Sequence, residues 1–416
     1  MKLKFPEKFF WGAATSAHQV EGGCNNDWSK WEKENAARLA ERAKTHWQKW
    51  QQERFPEMFK PENYISGKAC DHYNRFCEDF DIALSLGQNA HRFSIEWSRI
   101  EPEEGKFDEK EIKHYQKIIS ALRERGIEPF ITINHWTLPL WFEDVGGWEH
   151  DDAVFHFSEF VGYLARNLKD VKFWIVFNEP WIYISHSYIR GKWPPAKKSW
   201  ISVFRVLRVL IRSHKISFDI IKSVSPQAKV GIAENNVYFE GWRLIQQAAN
   251  YFVNNYFLKK IKNHLDFIGL NYYFHNKIKG FRFNKNDNEF ITDMGWEIYP
   301  EGIYHVLKDL RDYDKPIYIT ENGLADSRDI ERTKFIKDHL YWTHKAIEEG
   351  VDVRGYFYWS LLDNFEWDKG FWPRFGLVEI DYLPRGKAGQ ALERRVRKSA
   401  LEYAEICKNN GFEYII

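Results

Sequence analysis

Little in this 416-residue chain assigns it to a class on sight. Cysteine is scarce: Cys24, Cys70, Cys77 and Cys407 form no CxxC pair and share no spacing with histidine, which argues against a disulfide framework or a structural zinc site. An excess of either charge is missing as well. Sixty Lys and Arg face 59 Asp and Glu, a formal balance of +1, so neither nucleic acid nor an anionic membrane is an expected partner. No apolar run approaches the roughly 20 residues that span a bilayer. The N-terminal MKLKFP lacks the apolar stretch and small-residue cleavage site of a secretory leader, and the expected compartment is the cytoplasm. There is no HExxH, no Asp/His cluster at ligand spacing and no glycine-rich phosphate loop, so no metal and no cofactor is expected. Without internal repeats or low-complexity linkers, residues 1–416 read as a single domain. Oligomeric state is not legible.

Aromatic residues, by contrast, abound. The 19 Trp, 21 Tyr and 32 Phe bring aromaticity to 17%, more than a core alone requires. Their faces suit the C–H faces of sugar rings, although most must simply be core. Short apolar runs alternate with amphipathic helical stretches. Strands are expected at Phe9–Ser16, Ala90–Trp97, Pro129–His135, Phe173–Asn178, Lys229–Asn235, Phe267–Tyr273, Ile317–Thr320 and Gly355–Trp359. Helices are expected at Asp108–Gly126, Asp152–Leu168, Ile201–Val224, Gly302–Tyr313 and Asp329–Glu349. This alternation reads as an α/β fold, a single (β/α)8 TIM barrel with elaborated βα loops. Strands so uniformly apolar fit a parallel sheet covered on both faces.

Two segments exceed a minimal barrel. Residues 32–59, in the first βα loop, are highly charged, with Leu39, Trp47, Trp50 and Phe55 as sparse apolar positions. A solvated surface helix is expected there, in preference to a lid or subunit contact. In Ser199–Val224, Arg205, Arg208, Arg212 and Lys215 recur at near-helical spacing among Val, Leu and Ile. Such a helix can lie on a membrane surface, but between two barrel strands an outer-ring helix is the expected reading.

Polar residues gather where the strands end: Gln19, Arg92, His135, Asn178, Glu179, Asn235, Asn271 and Glu321, then Trp359 onward. In this fold the βα loops converge on one rim, which carries the site. Glu179 closes one apolar strand and Glu321 another. A carboxylate there is costly to desolvate and needs a partner or a task. Two such groups facing each other across a barrel mouth supply the acid and the nucleophile, or base, of glycosidic bond cleavage.

The residues resemble glycoside hydrolase family 1 from near the N-terminus to about Cys407. The resemblance rests on FFWGAATSAHQVEG at 9–22, ACDHYNRF at 69–76, RFSIEWSRI at 92–100, PFITINHW at 129–136, FNEP at 177–180, DFIGLNYY at 266–273, ITENG at 319–323, YWSLLDNFEW at 358–367 and RFGLVEIDY at 374–382. It implies a retaining, exo-acting β-glycosidase specific for terminal β-D-glucosyl residues, or β-D-galactosyl or β-D-fucosyl ones. Glu321 would be the nucleophile and Glu179 the general acid/base, with Arg92 and Tyr273 contacting the nucleophile. By the same resemblance Gln19, His135, Asn178, Glu366 and Trp367 would bind sugar hydroxyls, Asn178 addressing the 2-hydroxyl. Trp359 would form the aromatic floor, and Trp136 and Phe375 would line the pocket. The expected partner is a small β-glycoside or oligosaccharide.

Glu366 bears on the alternatives. Relatives that act on 6-phosphoglycosides replace a glutamate at this position, and a carboxylate would repel a phosphate. Non-catalytic sugar-binding relatives lose one or both glutamates, and thioglycosidases carry glutamine in place of the acid; this chain keeps both Glu179 and Glu321. Val176 and Asn134 depart from the family pattern and bear on pocket shape. The shortened region between Asn235 and Asp266 and the longer 32–59 segment bear on leaving-group preference.

Overall fold

The computed structural model describes residues 1–382 and 392–414. Eight parallel strands close into a barrel in chain order: β1 (Phe10–Ala14), β2 (Ala90–Ser94), β3 (Glu128–Asn134), β4 (Phe173–Asn178), β5 (Lys229–Asn235), β6 (Phe267–Asn271), β7 (Ile317–Asn322) and β8 (Val353–Trp359). The longer helices are α1 (Asp27–His46), α2 (His72–Ser85), α3 (Glu109–Glu124), α4 (Ala153–Asn167) and α5 (Trp200–Val224), followed by α6, which runs from Arg243–Ala249 through a π-helical Asn250–Asn255 to Tyr256–Ile261. After these come α7 (Glu301–Leu310), α8 (Arg332–Glu348) and α9 (Lys398–Asn409).

All eight expected strands are present, β4 and β5 with the expected bounds. The others differ at one end or both, and β1 and β2 stop where a polar group starts something new. β1 stops at Ala14 because Ser16 begins the short helix Ala17–Val20, and β2 stops at Ser94 because Glu96 caps the turn Trp97–Ile100. β7 runs further than expected, through Glu321 to Asn322.

Side chains on the strands fill the barrel. Below the site the filling is aromatic: Phe130 and Phe173 stack at 4.1 Å, with Phe10, Phe267, Tyr318 and Phe357 edge-on or tilted around them. This plug fills the lower barrel and separates the pocket at the C-terminal rim from a second hollow at the opposite end, lined by Phe10, Phe173, Phe267 and Tyr318. The outer helices bury one stripe each, as α3 does with Ile112, Tyr115, Ile118, Ile119 and Leu122.

The 32–59 segment is not a solvated helix. Its first part belongs to α1, which starts five residues earlier under an Asn26 cap, with the Asn26 and Ser29 side chains reciprocally bonded; a short helix, Lys49–Arg54, and a 3-10 turn, Pro56–Phe59, complete it. Trp28, Trp31, Glu32, Ala36, Leu39, Ala40 and Ala43 form the buried face of α1. Further along, Phe55 and Trp47 pack on Trp372 at 4.9 and 5.0 Å, in one cluster with Trp359 and Phe375. The segment therefore roofs one side of the mouth. Its sequence looked solvated because the heaviest apolar anchors, Trp28 and Trp31, precede it and the rest of the stripe is mostly alanine. Glu32, read as surface charge, is buried, taking His18 Nε2 at 2.6 Å and the Ser66 amide and hydroxyl at 2.8 Å each.

Candidate active site

Glu179 and Glu321 line one pocket at the C-terminal rim. Each follows an irregularity in its strand. The β4–β5 register slips between Ile175 and Asn178, and the β7–β6 register slips between Ile319 and Glu321. Such breaks re-aim a side chain that regular pleating would send elsewhere. At Glu179 the backbone also turns left-handed, with φ +44°, before Pro180 opens the helix Pro180–Ile184. A non-glycine residue there is strained, and the Glu179 amide is held by the Ala233 carbonyl at 2.7 Å.

The two carboxyls have contrasting surroundings. Arg92 Nη1 donates to Glu321 Oε1 at 2.5 Å, and the Tyr273 hydroxyl donates to Oε2 at 2.9 Å. Glu179 receives only neutral donors on Oε1, the amides of Asn271 at 2.8 Å and Asn235 at 3.1 Å. Asn178 bridges the two halves: its Oδ1 accepts from Arg92 Nη2 at 2.6 Å and from Asn271 at 3.2 Å. Two side chains, Arg92 and Asn271, thus tie both glutamates to one asparagine.

These surroundings separate the proton affinities. Burial, reinforced by the charge of Glu321, pushes Glu179 from its ordinary 4.5 up to about 8. Desolvation is the larger cause and the neighbouring charge comes second. Burial raises Glu321 too, but the Arg92 guanidinium and the Tyr273 hydroxyl pull it back down. The site's proton therefore sits on Glu179.

Around this pair the pocket is lined by His135, Trp136, Tyr273, Trp359, Glu366, Trp367 and Phe375, all anticipated from the sequence. His135 Nε2 accepts from the Asn178 amide at 3.0 Å, leaving Nδ1 without a partner. Burial and Arg92 hold this ring neutral, so Nδ1 carries a hydrogen with nothing yet to receive it. Gln19, Arg92 and Asn178 are anticipated too and are buried beside this lining. Gln19 is wholly buried, and its amide nitrogen donates to the Phe365 carbonyl at 2.7 Å and reaches Glu366 at 3.5 Å.

Glu366 departs from expectation in charge. Burial pushes it to about 8, with Lys369 opposing and Glu321 adding to the rise. A neutral Glu366 does not repel a phosphate as a carboxylate would. Lys369 also lines the pocket, but Asp368 already holds its ammonium group.

Sequence reasoning missed several lining residues. Asn235 and Asn271 were noted as strand-end polar residues without a role, and both reach Glu179. His186 and Trp193, stacked at 4.2 Å, line the pocket from the segment after the first glutamate. Trp296, packed on Phe274 at 4.7 Å, comes from the long segment after β6. No motif or strand end marked these three. Among the described residues one trio of possible metal ligands also comes together, His18, Cys24 and Glu96, their ligand atoms within 4.8 Å of one another, with Glu96 distant in sequence from the other two. Glu32 and Asn26 occupy both His18 nitrogens, Arg99 lies 3.7 Å from the Cys24 sulfur, and burial raises that thiol well above its ordinary value. These contacts leave no vacant ligand on His18 and no thiolate.

The family model for glycosyl hydrolase family 1 matches residues 1–242 and 239–412. Beta-glucosidase A of Thermotoga maritima is 36% identical, with 99% of each chain covered. Among solved structures, a beta-glycosidase from Pyrococcus horikoshii superposes with a TM-score of 0.87 at 39% identity, covering 100% of this chain and 97% of that one. A beta-glucosidase from Thermotoga maritima in complex with glucoimidazole gives 0.84 at 33% identity, covering 98% and 100%.

Proposed function

The chain belongs to glycosyl hydrolase family 1, and from that premise we propose that it is a retaining, exo-acting β-glycosidase that removes terminal β-D-glucosyl residues through a covalent intermediate on Glu321. The described residues work as one catalytic unit. The observation that carries this reading is the asymmetry of the two carboxyls in one pocket. A guanidinium and a phenol grip Glu321, whereas Glu179 has only neutral amides and a proton.

In the first step Glu321 attacks the anomeric carbon while Glu179 gives its proton to the departing oxygen. Arg92 and Tyr273 keep Glu321 ionised and aim its oxygens. Once Glu321 is an ester its charge is gone, and one of the two causes that raise Glu179 disappears with it. Glu179, now a carboxylate, takes a proton from water, which attacks the same carbon and releases the sugar with its configuration kept. The chemistry of Glu321 thus changes the protonation of Glu179.

For the sugar itself, His135 Nδ1 is the free donor, Asn178 addresses the 2-hydroxyl, and Glu366 takes the 4- and 6-hydroxyls with Trp367 beside it. Gln19 holds Glu366 from behind. The Trp359 ring is the floor, and Trp136 and Phe375 form walls. An unphosphorylated glycone is favoured because Lys369, the only lysine or arginine lining the pocket among the described residues, is already paired.

Azide rescue tests the assignment. Glu321→Ala should lose nearly all turnover of nitrophenyl β-glucoside and regain it with azide, giving the α-glycosyl azide by proton NMR. Glu179→Ala with azide should give the β-anomer. The α-anomer from Glu179→Ala together with the β-anomer from Glu321→Ala would reverse the roles.

A further inference from the structure

The exposed aromatic residues are not spread evenly. Among the described residues, every exposed Trp and Phe falls between residues 155 and 290, while the remaining exposed large apolar residues are aliphatics, Tyr251 and the N-terminal methionine. The densest group is on α5. Its inner face, Val203, Val206, Leu207 and Leu210, packs inward, as for any outer-ring helix. The outer face of the same three turns is also apolar: Trp200, Ile201 and Phe204 are 63, 83 and 62% exposed. Interleaved with them on that face are Arg205, Arg208 and Arg212, and a shallow groove joins Ile201 and Phe204 to all three arginines. Arg205 is bonded to Asp151, whereas Arg208 and Arg212 make no ion pair among the described residues. Further along the helix the exposed positions turn polar, at Asp219 and Ser223. The pattern recurs in the next two sectors, where exposed Trp242 and Phe281 meet edge to face at 6.4 Å beside Arg243 and Arg282.

We propose that this side of the barrel, with the first three turns of α5 at its centre, rests on an anionic lipid bilayer. Exposed Trp, Phe and Ile would enter the headgroup boundary, and the arginines would meet lipid phosphates. The near-zero net charge of the chain does not oppose this, because the potential that matters is local to within a Debye length. A second copy of the chain is a poorer occupant. Self-complementary pairing about a two-fold axis would set the unpaired arginines of α5 against each other. The helix lies on the outer ring away from the pocket, so substitutions on its outer face leave catalysis intact.

The test is flotation of the full chain with phosphatidylglycerol-containing or purely phosphatidylcholine vesicles, with hydrolysis of nitrophenyl β-glucoside as a control for folding. The chain should float with the anionic vesicles and be released at about 0.5 M salt. The double substitution Arg208→Glu/Arg212→Glu should lower partitioning by about thirtyfold or more. Ile201→Ser/Phe204→Ser should lower it by about tenfold. Equal partitioning on both vesicle types, or undiminished partitioning of both variants, would overturn the proposal. So would light scattering showing a dimer that Ile201→Ser/Phe204→Ser dissociates.

Discussion

Glu179→Gln isolates what the structure says about the proton. Burial and Glu321 lift Glu179 from 4.5 to about 8, a preference for the neutral form on the order of 5 kcal/mol at about 1.4 kcal/mol per tenfold. In wild type, kcat/KM for nitrophenyl β-glucoside should therefore hold through neutral pH and fall about tenfold per unit above about 8, as Glu179 in the free enzyme loses its proton. The glutamine amide keeps the shape and the neutral charge but has no proton to give. For a poor leaving group such as an alkyl glucoside, the loss should be roughly 100- to 10,000-fold. For dinitrophenyl glucoside, whose phenolate departs without protonation, kcat/KM should barely change. Turnover should instead stall at the ester, visible as a burst of phenolate released before slow steady state. The part of the alkaline limb that belongs to Glu179 should vanish, leaving that of Glu366, which titrates near the same pH. An equal loss for both leaving groups would refute the placement of the proton.

Two further outcomes follow from the same geometry. Tyr273→Phe deletes one hydrogen bond to the nucleophile, 2.9 Å long and charge-assisted. It should cost about 1.5–3 kcal/mol, roughly ten- to hundredfold in kcat with little change in KM, read from steady-state kinetics. Glu366→Gln should flatten the dependence of melting temperature on pH. Burial raises the folded carboxyl to about 8, above its ordinary 4.5, so its proton stabilises the fold fully below 4.5 and that contribution is gone once pH passes about 8. Wild type should therefore lose more melting temperature than the variant between those limits, as followed by calorimetry. Parallel curves would show that Glu366 is ionised in the folded chain.

Much of the barrel is legible from local pattern. Phe173–Asn178 and Lys229–Asn235 are runs that nothing but a buried strand accommodates, and their ends show in the polar residues that follow. Where the reading failed, the deciding contacts were distant. The roof built by the 32–59 segment depends on Trp372, more than 300 positions from the Trp47 and Phe55 it packs against. His186, Trp193 and Trp296 reach the pocket from segments with no periodicity and no motif. The charge of Glu366 was misjudged because a carboxylate's state depends on desolvation, which residue identity does not report.

The order of the residues alone determined that eight apolar runs would pair in parallel and that their polar tips would share one rim, because period and burial are local properties of a chain. It also determined which residue types stand at each tip. Only the tertiary structure decided that Arg92 from the second strand grips Glu321 on the seventh while neutral amides of the fifth and sixth strands hold Glu179. Proton affinity follows from solvent exclusion and through-space charge, and neither exists until the barrel has closed.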